Sequence, residues 1–125
     1  WNRNNPDRPL HIDKAMDVIN FDQVEAQINF ARGLESISGE EREQLCSNQY
    51  FTVERWRAPE GYVLDGTCDG STYEIWGVLD GQATIRGGSD QVEISKVGFA
   101  LLPAALGNYQ LKVLNDATLL KVYTK

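Results

Sequence analysis

Residues 61–81 read Gly61-Tyr-Val-Leu-Asp-Gly-Thr67-Cys-Asp69-Gly-Ser-Thr-Tyr-Glu74-Ile-Trp-Gly-Val-Leu-Asp-Gly81. Five residues separate Gly61 from Thr67, one separates Thr67 from Asp69, four separate Asp69 from Glu74, and six separate Glu74 from Gly81. Two glycines thus frame three polar positions in a β-forming context. Asp65-Gly66 and Asp69-Gly70 are turn signals, and Tyr73 to Leu79 is rich in strand formers. Asp80-Gly81 lies between two apolar runs and predicts a hairpin whose second strand is Gln82 to Arg86.

The same texture extends to both sides. Tyr50-Phe-Thr-Val-Glu-Arg-Trp-Arg57 alternates and predicts a strand. Pro59-Glu60-Gly61 predicts a turn, Tyr62 to Leu64 a short strand, and Gly87-Gly88-Ser89-Asp90 another turn. Strands are further expected over 91–95, 99–102, 109–114 and 118–123. About eight short strands at regular spacing indicate a small sandwich or barrel. Residues 1–48 read differently. The polar opening Trp1 to Pro9 is irregular, and Ile12, Ala15, Met16 and Ile19 have helical spacing, so a short helix is expected near 10–20. Residues 21–32 fit an extended arm or a weak helix. Ser38-Gly-Glu-Glu-Arg-Glu-Gln-Leu45 reads as an N-cap with acids in a first helical turn. The expected fold is therefore mainly β, a barrel over 49–125 preceded by a short helical N-terminal arm over 1–48.

Composition narrows the function classes. A chain of 125 residues is one domain by size and buries a core without a metal or disulfide staple. The net charge of -6 offers no basic stripe for nucleic acid and disfavours anionic lipid, and no apolar run reaches the length of a membrane span. Cys46 and Cys68 share no metal-ligand spacing and read as free thiols of a cytoplasmic protein. The absence of an initiator Met and of a signal-peptide core gives the expectation that the sequence is part of something longer.

The Gly61–Gly81 spacing resembles the first motif of the cupin barrel, in which the positions held here by Thr67 and Asp69 are normally His. Gly98, Pro103 and Gly107 resemble the frame of the second motif, but Asn108, Tyr109 and Gln110 stand where its ligand would fall. A second resemblance is carried by Arg8-Pro-Leu-His-Ile-Asp-Lys-Ala15, Tyr50-Phe-Thr-Val-Glu-Arg55 and Gly98-Phe-Ala-Leu-Leu-Pro-Ala-Ala-Leu-Gly-Asn-Tyr109. Together these are similar to the C-terminal part of short, bacterial-type mannose-6-phosphate isomerases. The resemblance implies a cupin-like jelly roll belonging to a zinc-dependent aldose–ketose isomerase that interconverts mannose 6-phosphate and fructose 6-phosphate. It also implies that zinc is held by an N-terminal catalytic barrel, which is the partner expected for this chain.

Zinc chemistry needs three protein ligands and an open position. The chain has one His, His11, in the expected first helix and remote from the motif. Thr67, Asp69 and Glu74 are therefore degenerate ligand positions, and no metal and no catalytic residue is expected in this chain. Glu74 is expected to point outward from a half-exposed strand. Trp56, Tyr62, Tyr73 and Trp76 fit core packing or a sugar-stacking pocket. Arg3 and Arg8 are the candidates to touch a substrate phosphate in a complete enzyme. The alternative to an isomerase part is a non-catalytic cupin module for sugar binding or homodimerisation through its strand edges.

Overall fold

The computed structural model describes residues 11–22 and 31–124; Arg3 and Arg8 lie outside the described residues. Among the described residues, one helix, α1 (Ile12–Val18), precedes eight strands: β1 (Arg32–Leu34), β2 (Glu41–Ser47), β3 (Phe51–Ala58), β4 (Val63–Cys68), β5 (Glu74–Gly87), β6 (Asp90–Ser95), β7 (Phe99–Leu102) and β8 (Gly107–Thr124). A single 3-10 turn, Ala104–Leu106, leads into β8. All pairings are antiparallel, with β8 beside β3, β4 and β5.

β5 and β8 are the spine. They run side by side from Glu74↔Tyr123 to Gly87↔Tyr109, and the register shifts between Val78 and Ala83. Before the bend they lie in a sheet ordered β1-β2-β3-β8-β5 with β7 on the far side of β5. Beyond it they lie between β4 and β6. A pair of bulged strands shared by two sheets closes a barrel with a filled interior.

This corrects the expected hairpin at Asp80-Gly81. Gly81 has φ +86°, which suits a tight turn and a bulge equally. β8 supplies ladder partners on both sides of it, so the strand bends without reversing. A Cβ at Gly81 would stand 2.5 Å from the Asp116 carbonyl oxygen, so the crossing needs glycine for space as well. Tyr109–Leu114 and Thr118–Tyr123 likewise form one strand, β8.

The helical turn expected over Ser38–Leu45 is also corrected. Glu41–Ser47 is strand β2. Its alternation places Arg42 against the Trp56 ring, with the guanidinium carbon 4.9 Å from the ring centre. On the opposite face, Glu43 pairs with Arg55 and Glu41 with Arg57 across the strands. Cross-strand charge pairs favour this register over a helical turn. The short helix is found as expected, with no residue of it buried.

The interior rows follow the two-residue period of the strands. Trp76, Val78, Ala83, Leu111, Val113 and Leu119 are fully enclosed, and Trp56, Ile85, Ile94 and Leu102 complete the core. Each large apolar side chain so buried contributes on the order of 1.5–3 kcal/mol. Both cysteines are free, Cys68 inside the barrel and Cys46 half-buried on β2.

Candidate functional site

The polar groups of the interior gather on the inner face of the β3–β8–β5 sheet. Register places Glu54 opposite Lys121 and Lys121 opposite Trp76. Two copies of one local arrangement result. In Glu54-Arg55-Trp56 the indole Nε1 donates to Glu54 Oε2 at 2.9 Å, and the Tyr123 hydroxyl donates to Glu54 Oε1 at 2.9 Å. In Glu74-Ile75-Trp76 the indole Nε1 donates to Glu74 Oε2 at 3.2 Å, and the Tyr109 hydroxyl donates to the same oxygen at 2.5 Å. Residues two apart on a strand share a face, which is why each indole reaches the carboxylate before it.

Lys121 stands between the two copies. Its Nζ is 2.9 Å from Glu74 Oε1 and 5.4 Å from the centres of both the Trp76 and Tyr123 rings. The two indoles meet edge to face at 5.3 Å. Such an ion pair, backed by hydrogen bonds and ring faces, is a way to hold charges inside a barrel. Burial and the bond to Glu74 push the Tyr109 phenol well above its usual range. Burial and Glu54 push the Tyr123 phenol up, and burial with the Glu74 charge pushes the Cys68 thiol up. Tyr109 and Tyr123 therefore stay neutral donors, and Cys68 is a packing residue rather than a nucleophile.

A lip over this region is built by Glu40. Its buried carboxylate accepts the Ile37 and Ser38 N–H groups, each at 2.8 Å, and faces Arg42 Nε at 3.4 Å. Burial alone would raise the Glu40 pKa; the two backbone donors and Arg42 outweigh it and hold the carboxyl below its usual value. The Tyr62 phenol is pushed up to about 12 by burial and by the Glu40 charge. Beneath the lip lies a cavity of about 340 Å³ whose walls include Arg42, Glu54, Trp56, Glu74, Lys121 and Tyr123.

Glu74 is thus buried and aimed inward, not outward as the sequence suggests. Of the degenerate ligand positions, Thr67 and Glu74 reach this cavity and Asp69 does not. Thr67 is exposed and its hydroxyl donates to Asn108 Oδ1 at 2.8 Å. Asp69 accepts the Ser71 N–H at 2.9 Å and hydroxyl at 2.5 Å, bonds that hold its carboxyl below the usual range. The residues do not fit zinc. Glu74 already spends both oxygens on Lys121, Tyr109 and Trp76, and an ammonium stands beside it. Among the described residues, no three His, Cys, Asp or Glu side chains cluster as a metal site. His11 is exposed on α1.

Glu54, Lys121, Tyr109 and Tyr123 are site residues that motif spacing overlooks. Their signal is nevertheless in the chain: Glu-X-Trp occurs at 54–56 and again at 74–76, and Lys121 is a lone charge within Leu119-Leu120-Lys121-Val122.

Solved structures share this architecture. The RmlC-like cupin from Shewanella frigidimarina superposes with a TM-score of 0.68 at 10% identity, covering 80% of this chain and 91% of that one. KdgF from Halomonas sp. gives 0.66 at 12% identity, covering 74% and 86%. The fold is that of a cupin barrel. Mannose 6-phosphate isomerase from Bacillus subtilis gives a TM-score of 0.70 at 22% identity, covering 98% of this chain but 38% of the isomerase. No family model matches the sequence, and no curated protein matches it. Among the described residues of this cupin barrel, no helix is long and apolar enough to cross a membrane.

Proposed function

We propose that this chain is the non-catalytic cupin barrel of a protein resembling mannose-6-phosphate isomerase, with isomerisation and zinc belonging to another barrel. The observation that carries this reading is the extent of the likeness. The isomerase accounts for 98% of the chain, whereas the two other structures above account for 80% and 74%. The interior supports it, because Lys121 and the paired glutamates stand where a catalytic cation would need free ligands. On this reading the protein works in carbohydrate metabolism in the cytoplasm, a setting in keeping with two free thiols.

The outer face of the main sheet supplies the docking surface for the other barrel. Val53, Val122, Ile75 and Leu101 form one outward row in register, and Leu120 and Phe99 flank Gly77 in the next. Phe99 and Leu101 are 61% and 63% exposed, and the Arg55–Glu43 and Arg57–Glu41 pairs border the face. An apolar centre with a charged border is the anatomy of an interface.

Two measurements test the reading. The chain is assayed with mannose 6-phosphate, with and without zinc; no fructose 6-phosphate is expected, and turnover overturns the proposal. Dye binding to exposed apolar surface is then compared with that of a Phe99→Glu, Leu101→Lys variant, together with mass by light scattering. A monomer whose dye binding drops in the variant supports an open docking face. A dimer that the variant dissolves assigns the face to a second copy and favours the self-associating module.

A further inference from the structure

We infer that the outer face of β4, β8 and β5 carries a binding site for a small hydroxy- or amino-carboxylic acid, with Arg86 and Asn108 taking the carboxylate and Asp65 the hydroxyl or amino group. The site lies outside the barrel and does not rest on the isomerase reading. Strand alternation turns Cys68, Tyr109 and Leu111 inward, and Asp65, Thr67, Asn108 and Gln110 outward, where all four are exposed. Arg86, exposed on β5, stands opposite Gln110 in the ladder. Asp65, Gln110 and Arg86 therefore form one row across three strands, with Thr67 and Asn108 paired in the next. These residues border a groove of about 530 Å³ with Gly88 in its wall, room enough for a small acid.

The row keeps its opposite charges apart. On the main sheet Arg42 meets Glu40, Arg55 meets Glu43 and Arg57 meets Glu41. Arg86 makes no ion pair among the described residues, although an acid stands in its own row. Two strand spacings put roughly 9.5 Å between the backbones of Asp65 and Arg86. Between them Gln110 Nε2 donates to Asp65 Oδ1 at 2.8 Å and holds the acid on its own side. The guanidinium thus keeps its planar fork of N–H donors for a ligand. Asn108 adds an amide beside it. The Thr67 hydroxyl donates to Asn108 Oδ1 at 2.8 Å, which fixes the amide and leaves the two N–H groups of Nδ2 to a ligand. A guanidinium fork with a neighbouring amide N–H suits a carboxylate. On the far side of the groove, Asp65 Oδ2 and Gln110 Oε1 are acceptors for an O–H or N–H group.

Charge narrows the class. Arg86 and Asp65 are the charged residues lining the groove, and they sum to zero. A monoanion that also carries a donor group matches both ends. A dianion such as phosphate brings a second negative charge toward Asp65 and is disfavoured. The net charge of -6 opposes every anion from a distance. At physiological salt that field is largely screened beyond about 8 Å, so contacts inside the groove set the preference.

The test uses the whole chain, ¹⁵N-labelled, at constant ionic strength set with sodium chloride. The probes are L-lactate, propionate as the acid without a hydroxyl, and inorganic phosphate as the dianion. The side-chain N–H signals of Arg86, Asn108 and Gln110 report the groove directly. Saturable shifts with a millimolar dissociation constant are expected for lactate, and binding about threefold or more weaker for propionate and for phosphate. Arg86→Gln and Asn108→Asp should each weaken lactate binding by about tenfold. Both sites are exposed, so the fold should survive, and an unchanged backbone amide spectrum outside the groove checks it. Lys96→Met, at an exposed ion pair with Asp80, should leave lactate binding unchanged. The inference is overturned by no saturable shift up to roughly 100 mM lactate, the ceiling for a weak small ligand. It is equally overturned by propionate or phosphate binding as tightly as lactate, or by lactate binding that Arg86→Gln does not weaken. None of these outcomes bears on the isomerase assay, so the two readings fail separately.

Discussion

Replacing Lys121 by methionine removes the ammonium paired with Glu74 while keeping its stem. The pair it forms with Glu74 is 2.9 Å long, and the two side chains are only 17% and 11% exposed. At an effective dielectric constant of about 20, two unit charges so placed attract by roughly 6 kcal/mol, before the cost of taking both out of water. Breaking a buried pair typically costs about 3–5 kcal/mol, because one charge is left without its partner. Glu74 keeps the Tyr109 and Trp76 donors, which moderates the loss to about 2–3 kcal/mol. Glu74→Gln in the same background removes the orphaned charge and retains an acceptor for both donors. The double variant should then be more stable than Lys121→Met alone, with a coupling energy of about 1.5–2 kcal/mol. Urea unfolding followed by tryptophan fluorescence measures this, since Trp56 and Trp76 report from inside the core. For a chain of this size, a loss of 2 kcal/mol lowers the urea midpoint by roughly 1 M. A coupling energy below about 0.5 kcal/mol, the value of an exposed pair, would refute the claim that Lys121 is the interior counter-charge.

Three further outcomes are expected. Gly66→Ala places a methyl group where the Tyr109 ring now lies, and should cost about 1–3 kcal/mol in urea unfolding; a neutral result would show that the ring is free to move. Val97 holds φ +68° with its side chain 77% exposed, so Val97→Asn should raise stability by about 0.5–1 kcal/mol, and a loss would show that the turn needs the valine. The Tyr62 phenol rises on folding from 10.0 to about 12. A group whose pKa is raised in the folded state contributes stability that is complete below its unfolded value and disappears as pH climbs through its folded one. Unfolding free energy should therefore fall between pH 10 and about 12, by at most roughly 3 kcal/mol from Tyr62. Tyr62→Phe should flatten that part of the pH profile, and an unchanged slope would place the alkaline transition elsewhere.

The legible part of this fold was the part that local chemistry decides. Alternation and turn residues mark strands wherever a strand ends in a turn, as at Gly87–Asp90 and Pro59–Gly61. The failures share one cause: a partner strand far along the chain overrides the local signal. Asp80-Gly81 looks like a hairpin until β8 lies against both sides of it, and then the positive φ of Gly81 makes a bend. Ser38–Leu45 looks like a helix start until β3 offers Arg55 and Arg57 to its glutamates. The expected count of about eight strands agrees with the structure only because two fusions, in β5 and β8, offset two strands added before residue 50.

The site shows the same limit more sharply. Ligand counting along Thr67, Asp69 and Glu74 stops at the missing imidazoles. It treats the vacant positions as the end of the chemistry, and there it goes astray. The polar cluster is assembled from β3, β5 and β8, with members up to 69 residues apart in sequence, as in the Tyr123–Glu54 bond. No spacing rule joins those positions. What joins them is burial: a charged residue in an apolar run must find a partner or leave the core. Lys121 inside Leu119–Val122 poses that demand, and Glu54 and Glu74, each two residues before a tryptophan, are placed to meet it. A lone charge on a strand destined for the barrel interior is therefore the stronger sequence marker of this site than the glycine-framed motif that identifies its fold.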